Sequence, residues 1–84
     1  MDPSPDRPLI DYPCEWEYRV IGVDPDEIRA AIHEVVGDMD HQLREANRSG
    51  KYLSMSLTLM VEDEAHRDAL FQALNAKPKV RMVI

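Results

Sequence analysis

Eighty-four residues make one domain with a thin core, because so short a chain buries a smaller fraction of its surface than a larger one does. At 44% hydrophobic and 31% charged residues the chain is globular, and its apolar runs fall far short of the ~20 residues of a membrane span, so a soluble protein without membrane contact is expected. The net charge of -6 disfavours nucleic acid as a partner, since phosphate binding needs clustered Lys and Arg.

That charge is unevenly placed: residues 1–40 carry eleven Asp or Glu against three Lys or Arg, and residues 41–84 carry five against seven. Cys14 is the single cysteine, so no internal disulfide is possible and the chain fits a reducing cytoplasm. The opening MDPSPDRPLIDYP lacks the basic and apolar regions of a secretory signal; residues 1–13 hold four of the six prolines and read as a flexible lead-in to a domain over 14–84.

From Cys14 to Gly22 the residues alternate, with Cys14, Trp16, Tyr18 and Val20 on one face and Glu15, Glu17, Arg19 and Ile21 on the other. This is the period of a strand. Asp24 before Pro25, with Glu27 three residues on, then predicts a capped helix whose stripe is Ile28, Ala31, Ile32, Val35 and Val36 and whose stop is Gly37. His41 to Asn47 is polar apart from Leu43 and Ala46 and reads as a short edge strand, with Arg48, Ser49 and Gly50 as a turn.

The clearest strand is Lys51 to Glu62. Leu53, Met55, Leu57, Leu59 and Val61 alternate with Tyr52, Ser54, Ser56, Thr58 and Met60. Twelve residues exceed a typical strand, so one end is expected to bend or project past its neighbours and offer a place for a partner. Asp63 then caps a second helix with the stripe Ala69, Leu70, Ala73 and Leu74 flanked by Phe71, ended by Asn75 to Pro78. The closing KVRMVI predicts a strand with Val80, Met82 and Ile84 inward and Lys79, Arg81 and Val83 outward, the two basic residues opposing Glu15 and Glu17.

Strand, helix, strand, strand, helix, strand is the order of the ferredoxin-like α+β sandwich, βαββαβ, with a four-stranded antiparallel sheet in the order 4-1-3-2 and both helices on one face. The residues YPCEWEYRVIG, GKYLSMSLTL, ALFQAL and PKVRMVI, above all Pro13-Cys14, Val20-Ile21-Gly22, Gly50-Lys51-Tyr52 with Ser54, and Val80 to Ile84, resemble the small bacterial YbeD-like proteins over Tyr12 to Ile84. One departure stands at the turn before the central strand, where the family reads Ser-Ser-Lys-Gly and this chain reads Asn47-Arg48-Ser49-Gly50. The resemblance implies a domain of unknown function with a fold close to that of amino-acid-binding ACT regulatory domains and without established enzymatic activity.

Candidate chemistry is thin. Cys14 has the makings of a nucleophile, but Glu15 and Glu17 oppose thiolate formation and its place on a core face makes an inert thiol the better reading. His33, His41 and His66 lack metal-ligand spacing and read as surface, and Asp24, Asp26 and Glu27 are accounted for by helix capping. No catalytic residue, metal or cofactor is expected. The loop Gly22, Val23, Asp24 is a candidate ligand site, because a glycine permits close approach beside a helix N-terminus and because the equivalent ACT loop contacts the effector; the simpler reading is a strand-exit glycine. The uncovered sheet face with Arg19, Ile21, Tyr52, Ser54, Ser56, Thr58 and Arg81 is the candidate interaction face, against a plainly solvated one. Tyr52 alone is a poor stacking platform, which disfavours RNA. Two functions are carried forward: a non-enzymatic regulatory or adaptor domain that docks on a protein partner or on itself through this face, and a sensor of a small-molecule effector such as an amino acid with its pocket near Gly22.

Overall fold

A computed structural model describes residues 11–84; of the lead-in expected over residues 1–13, residues 1–10 lie outside the described residues. The elements are β1 (Cys14–Gly22), α1 (Pro25–Val36), β2 (Gln42–Ser49), β3 (Tyr52–Val61), α2 (Glu64–Asn75) and β4 (Val80–Val83). Neighbouring strands are antiparallel in the order β2-β3-β1-β4, which is the expected 4-1-3-2 read from the other edge.

Both helices begin where the sequence places their caps. The Asp24 carboxylate accepts hydrogen bonds from the Asp26 and Glu27 N–H groups at 2.8 and 3.3 Å, and Pro25 occupies the first turn, where its missing N–H costs nothing. Gly37 ends α1 with φ 58°, a backbone state that glycine adopts at little cost. At α2 the Asp63 carboxylate accepts from the His66 N–H at 2.7 Å, and the His66 Nδ1 in turn accepts from the N–H of Glu62, the residue before the cap, at 3.1 Å, a reciprocal pair that resembles a capping box displaced by one residue. Glu27 instead turns toward Lys79, with Oε2 and Nζ 3.5 Å apart.

The core lies between the sheet and the helices. Tyr18 and Val20 of β1, Leu53 to Val61 at alternate positions of β3, Ile28, Ala31, Ile32 and Val36 of α1, Leu70 and Leu74 of α2, and Val80 and Val83 of β4 are buried together. Tyr12 packs against this cluster from the N-terminal side. The α2 stripe is narrower than expected, because the helix packs mainly on β4 and α1 near the sheet edge and leaves Ala69, Phe71 and Ala73 exposed.

Three expectations are corrected. First, β2 continues through Ser49, and the connection to β3 is a two-residue hairpin at Gly50-Lys51. Gly50 has φ 60° and Lys51 a negative φ, the arrangement of a type II′ turn, whose twist matches that of the flanking strands. Second, β3 has ten residues rather than twelve and projects on one side only: Tyr52 pairs with Ser49 at one end and Val61 with Cys14 at the other, while Leu59 to Val61 run past the last pair with β2, Gln42 with Thr58.

Third, β4 does not alternate as its sequence suggests. Val80 lies opposite Gly22 and Met82 opposite Ile21, so Arg81 is the extra residue of a β-bulge. The bulge shifts every later side chain by one position: Val83 faces the core opposite Val20, whereas Met82 is 53% exposed and Ile84 68% exposed. Lys79 and Arg81 consequently do not oppose Glu15 and Glu17. Because β4 runs antiparallel to β1, its start lies beside Gly22, at the far end of β1 from the two glutamates.

Candidate functional site

The helices cover one face of the sheet and leave the other open, and strand alternation decides which side chains line it. By register its rows are Met82, Ile21, Ser54 and Asn47; then Arg19, Ser56 and Arg44; then Glu17, Thr58 and Gln42; and Glu15 beside Met60. Tyr52 and Ser49 close the end near Gly22.

The middle of this face is more closed than a row of hydroxyls implies. Ser56 is only 2% exposed although no helix covers it, since Arg19 and Arg44 stand on either side. Its hydroxyl donates a short hydrogen bond to Glu17 Oε2, a charge-assisted contact that engages one of the two oxygens of that carboxylate. Ser54 and Thr58 are half-buried. The centre is thus a self-satisfied polar strip.

Exposed apolar surface gathers instead at the Gly22 end. Ile21, Tyr52, Arg81 and Met82 surround a cleft of about 330 Å³, and Ile21 and Tyr52 also border one of about 140 Å³ with Asn47, Ser49, Leu53 and Ser54. The Lys51 ammonium lies 5.3 Å from the Tyr52 ring centroid, a cation–π contact that holds the ring at the rim. Among the described residues Tyr52 is the one aromatic on this face.

The loop Gly22, Val23, Asp24 is adjacent, and much of it is already engaged. Gly22 is buried; a Cβ there would meet Ile28 Cγ1 at 2.8 Å and the Lys79 carbonyl oxygen at 2.9 Å, so its glycine is required by the protein's own packing. The Asp24 carboxylate holds the Asp26 and Glu27 N–H groups, and Val23 is 40% exposed. The structure therefore brings Arg19, Ile21, Tyr52, Ser54, Ser56, Thr58 and Arg81 to one side of the sheet and places Gly22 beneath α1. Two residues of this surface are not signalled by the sequence: Met82, which the bulge exposes, and Ser49, which reads as part of a turn.

On the helix side, the Arg67 guanidinium stacks 4.7 Å from the Trp16 ring centroid, and the Tyr18 hydroxyl donates to the Arg67 carbonyl at 2.6 Å. Burial pushes the Tyr18 phenol above its usual pKa, opposed by the nearby Arg67 charge. Cys14 is half-buried at the start of β1.

A family model described as "Protein of unknown function (DUF493)" matches residues 7–84. The chain belongs to this family. Its resemblance to the YbeD-like proteins is borne out, and relatives carrying the name UPF0250 protein include one from Hahella chejuensis, 30% identical over 99% of this chain and 98% of the relative. A Helicobacter pylori protein of known solution structure is 27% identical, with a TM-score of 0.80 over 100% of this chain and 94% of that one. The ACT domain from the GTP pyrophosphokinase of Chlorobium tepidum shares the fold, with a TM-score of 0.61 at 19% identity over 83% of this chain and 94% of that domain. The family description assigns no activity. Among the described residues no helix is long and apolar enough to cross a membrane.

Proposed function

We propose that this chain is a non-enzymatic adaptor or regulatory domain of the cytoplasm that works by docking, on a protein partner or on a second copy, through the Gly22 end of its open sheet face. The observation that carries this reading is the exposure of Met82 at 53% and Tyr52 at 42% beside Ile21, large apolar side chains gathered at one end of a face no helix covers. A β-bulge turns Met82 outward, and an apolar patch rimmed by Arg81 and Lys51 has the composition of an interface core with a polar rim. Light scattering over a range of concentrations, with pull-down from cell extract, tests it in the wild type and in the double variant Tyr52→Glu, Met82→Glu. Association should be lost in the variant while its melting is unchanged. Association that survives both substitutions refutes the surface.

A second reading has one specific observation in its favour, the cleft of about 330 Å³ that Arg81 lines together with the apolar Ile21, Tyr52 and Met82. A cation in an otherwise apolar cleft suits a small carboxylate such as an amino acid, and the ACT domain shares this fold. A thermal-shift panel of amino acids separates the two readings, because a bound effector raises the melting temperature in proportion to the logarithm of its concentration. The shift should vanish in Arg81→Ala; if no amino acid moves the transition, the sensor reading falls.

A further inference from the structure

The sheet has a second incomplete place, at the end of β1 opposite the apolar patch. β4 pairs with β1 only at Val20 to Gly22, and the last contact is the two-way backbone bond between Arg19 and Ile84, at 3.0 and 2.9 Å. From Cys14 to Tyr18, no described residue pairs with β1 on the β4 side. Backbone groups alternate in direction along a strand, and Arg19 points its N–H and C=O toward Ile84. Those of Glu17 and Glu15 point the same way, into the gap.

The two walls of the gap differ in chemistry. On the helix side Trp16, Tyr18, Phe71, Arg67, Asp68 and Ile84 enclose a cleft of about 210 Å³, with Phe71 39% exposed at its mouth. On the open side stand the Glu15 and Glu17 side chains, both exposed and with no described cation within salt-bridge distance. A strand laid antiparallel to β1 in line with β4 would place alternate side chains on these two walls.

We infer that the free edge of β1 from Cys14 to Tyr18 accepts an extended segment of a partner protein in which apolar and basic residues alternate. Residues opposite Glu17 and Glu15 form the backbone hydrogen-bonded pairs and set their basic side chains beside the two carboxylates. The residue opposite Trp16 sends its apolar side chain into the aromatic cleft. Five residues at about 3.3 Å each fill the gap, and main-chain bonds supply affinity while the two walls select side chains, as in other strand additions. This surface lies at the opposite end of β1 from Ile21 and Tyr52, so it goes beyond the docking face proposed above and fails or stands separately.

The test uses the full chain and a fluorescein-labelled peptide Ile-Lys-Phe-Lys-Val, with two controls: the same residues in the order Lys-Lys-Ile-Phe-Val, and the original peptide with both lysine amides N-methylated. Fluorescence anisotropy should show saturable binding of the alternating peptide, weakened about tenfold or more by N-methylation, by reordering and by Glu15→Lys, and unchanged by Met82→Lys. In hydrogen-exchange NMR the Glu15 and Glu17 amides should exchange freely in the unliganded chain and become protected when the peptide is added. Absence of saturable binding overturns the inference. Equal binding of the N-methylated or reordered peptide does so as well, since charge alone would then explain it. Protection of both amides in the free chain, lost when residues 1–10 are removed, overturns it in favour of the chain's own N-terminal segment.

Discussion

The β-bulge at Arg81 makes opposite demands on two adjacent residues, and paired truncations separate them. Val83 is 7% exposed against Val20, and Val83→Ala removes two buried methyl groups. At ~0.8 kcal/mol for each, the transfer loss is about 1.6 kcal/mol before any cavity contribution. In a domain of this size 1 kcal/mol moves the melting temperature by roughly 4–8 °C, so Val83→Ala should melt roughly 6–13 °C below the wild type. Met82 is 53% exposed, and Met82→Ala should remain within about 0.5 kcal/mol. Urea denaturation followed by circular dichroism measures both, with the slope checked for constancy so that the midpoint reports stability. If Met82→Ala proves the more damaging, β4 alternates without a bulge, and the exposed patch on which the proposed docking rests does not exist.

Other outcomes follow from the packing. Gly22→Ala forces a Cβ against the Lys79 carbonyl at 2.9 Å and Ile28 at 2.8 Å, and since backbone cannot yield as a side-chain tip does, a loss of about 1–3 kcal/mol is expected in the same denaturation experiment. Leu57→Asp places a carboxylate at a position with no solvent exposure and should abolish cooperative melting; a sharp transition in that variant would reject the register of β3. Tyr18 holds its proton more tightly in the folded chain than an unperturbed tyrosine, whose pKa is about 10, so its contribution to stability is full below that pH and declines as pH rises through the folded pKa. Denaturation midpoints between pH 8 and pH 11 should show this decline in the wild type and a smaller one in Tyr18→Phe, which also loses the hydrogen bond to Arg67.

Local chemistry made most of the architecture legible. Asp24 with Pro25, Asp63 with His66, and the period-two runs of β1 and β3 are signals carried within a few residues, and each element appears where its signal lies. The order of the sheet follows from the βαββαβ succession of elements, and the strong alternation of β1 and β3 fits their central places, because a buried strand must be apolar on its covered face whatever its partners are. The extent of β2 was harder to read. An edge strand needs few apolar residues, and Asn47, Arg48 and Ser49 resemble a turn until Gly50 and Lys51 are seen to close the hairpin by themselves.

The functional surface was legible only in part, for a physical reason. Alternation alone gives the composition of the open face as a row of hydroxyls, yet Ser56 is hidden by arginines from the strands on either side and bonded to Glu17 across the ladder. The apolar patch is completed by Met82, and its outward direction depends on one extra residue at Arg81 that no feature of KVRMVI announces. That bulge sits beside Gly22, whose missing Cβ lets the Lys79 carbonyl and Ile28 approach closely. The chain by itself determined which segments are helices and strands and which strands are central, because caps, turns and periodicity act over short distances. Which residues the open face and the free edge of β1 present was decided by tertiary structure, since register, bulges and strand ends are set by contacts between segments far apart in sequence.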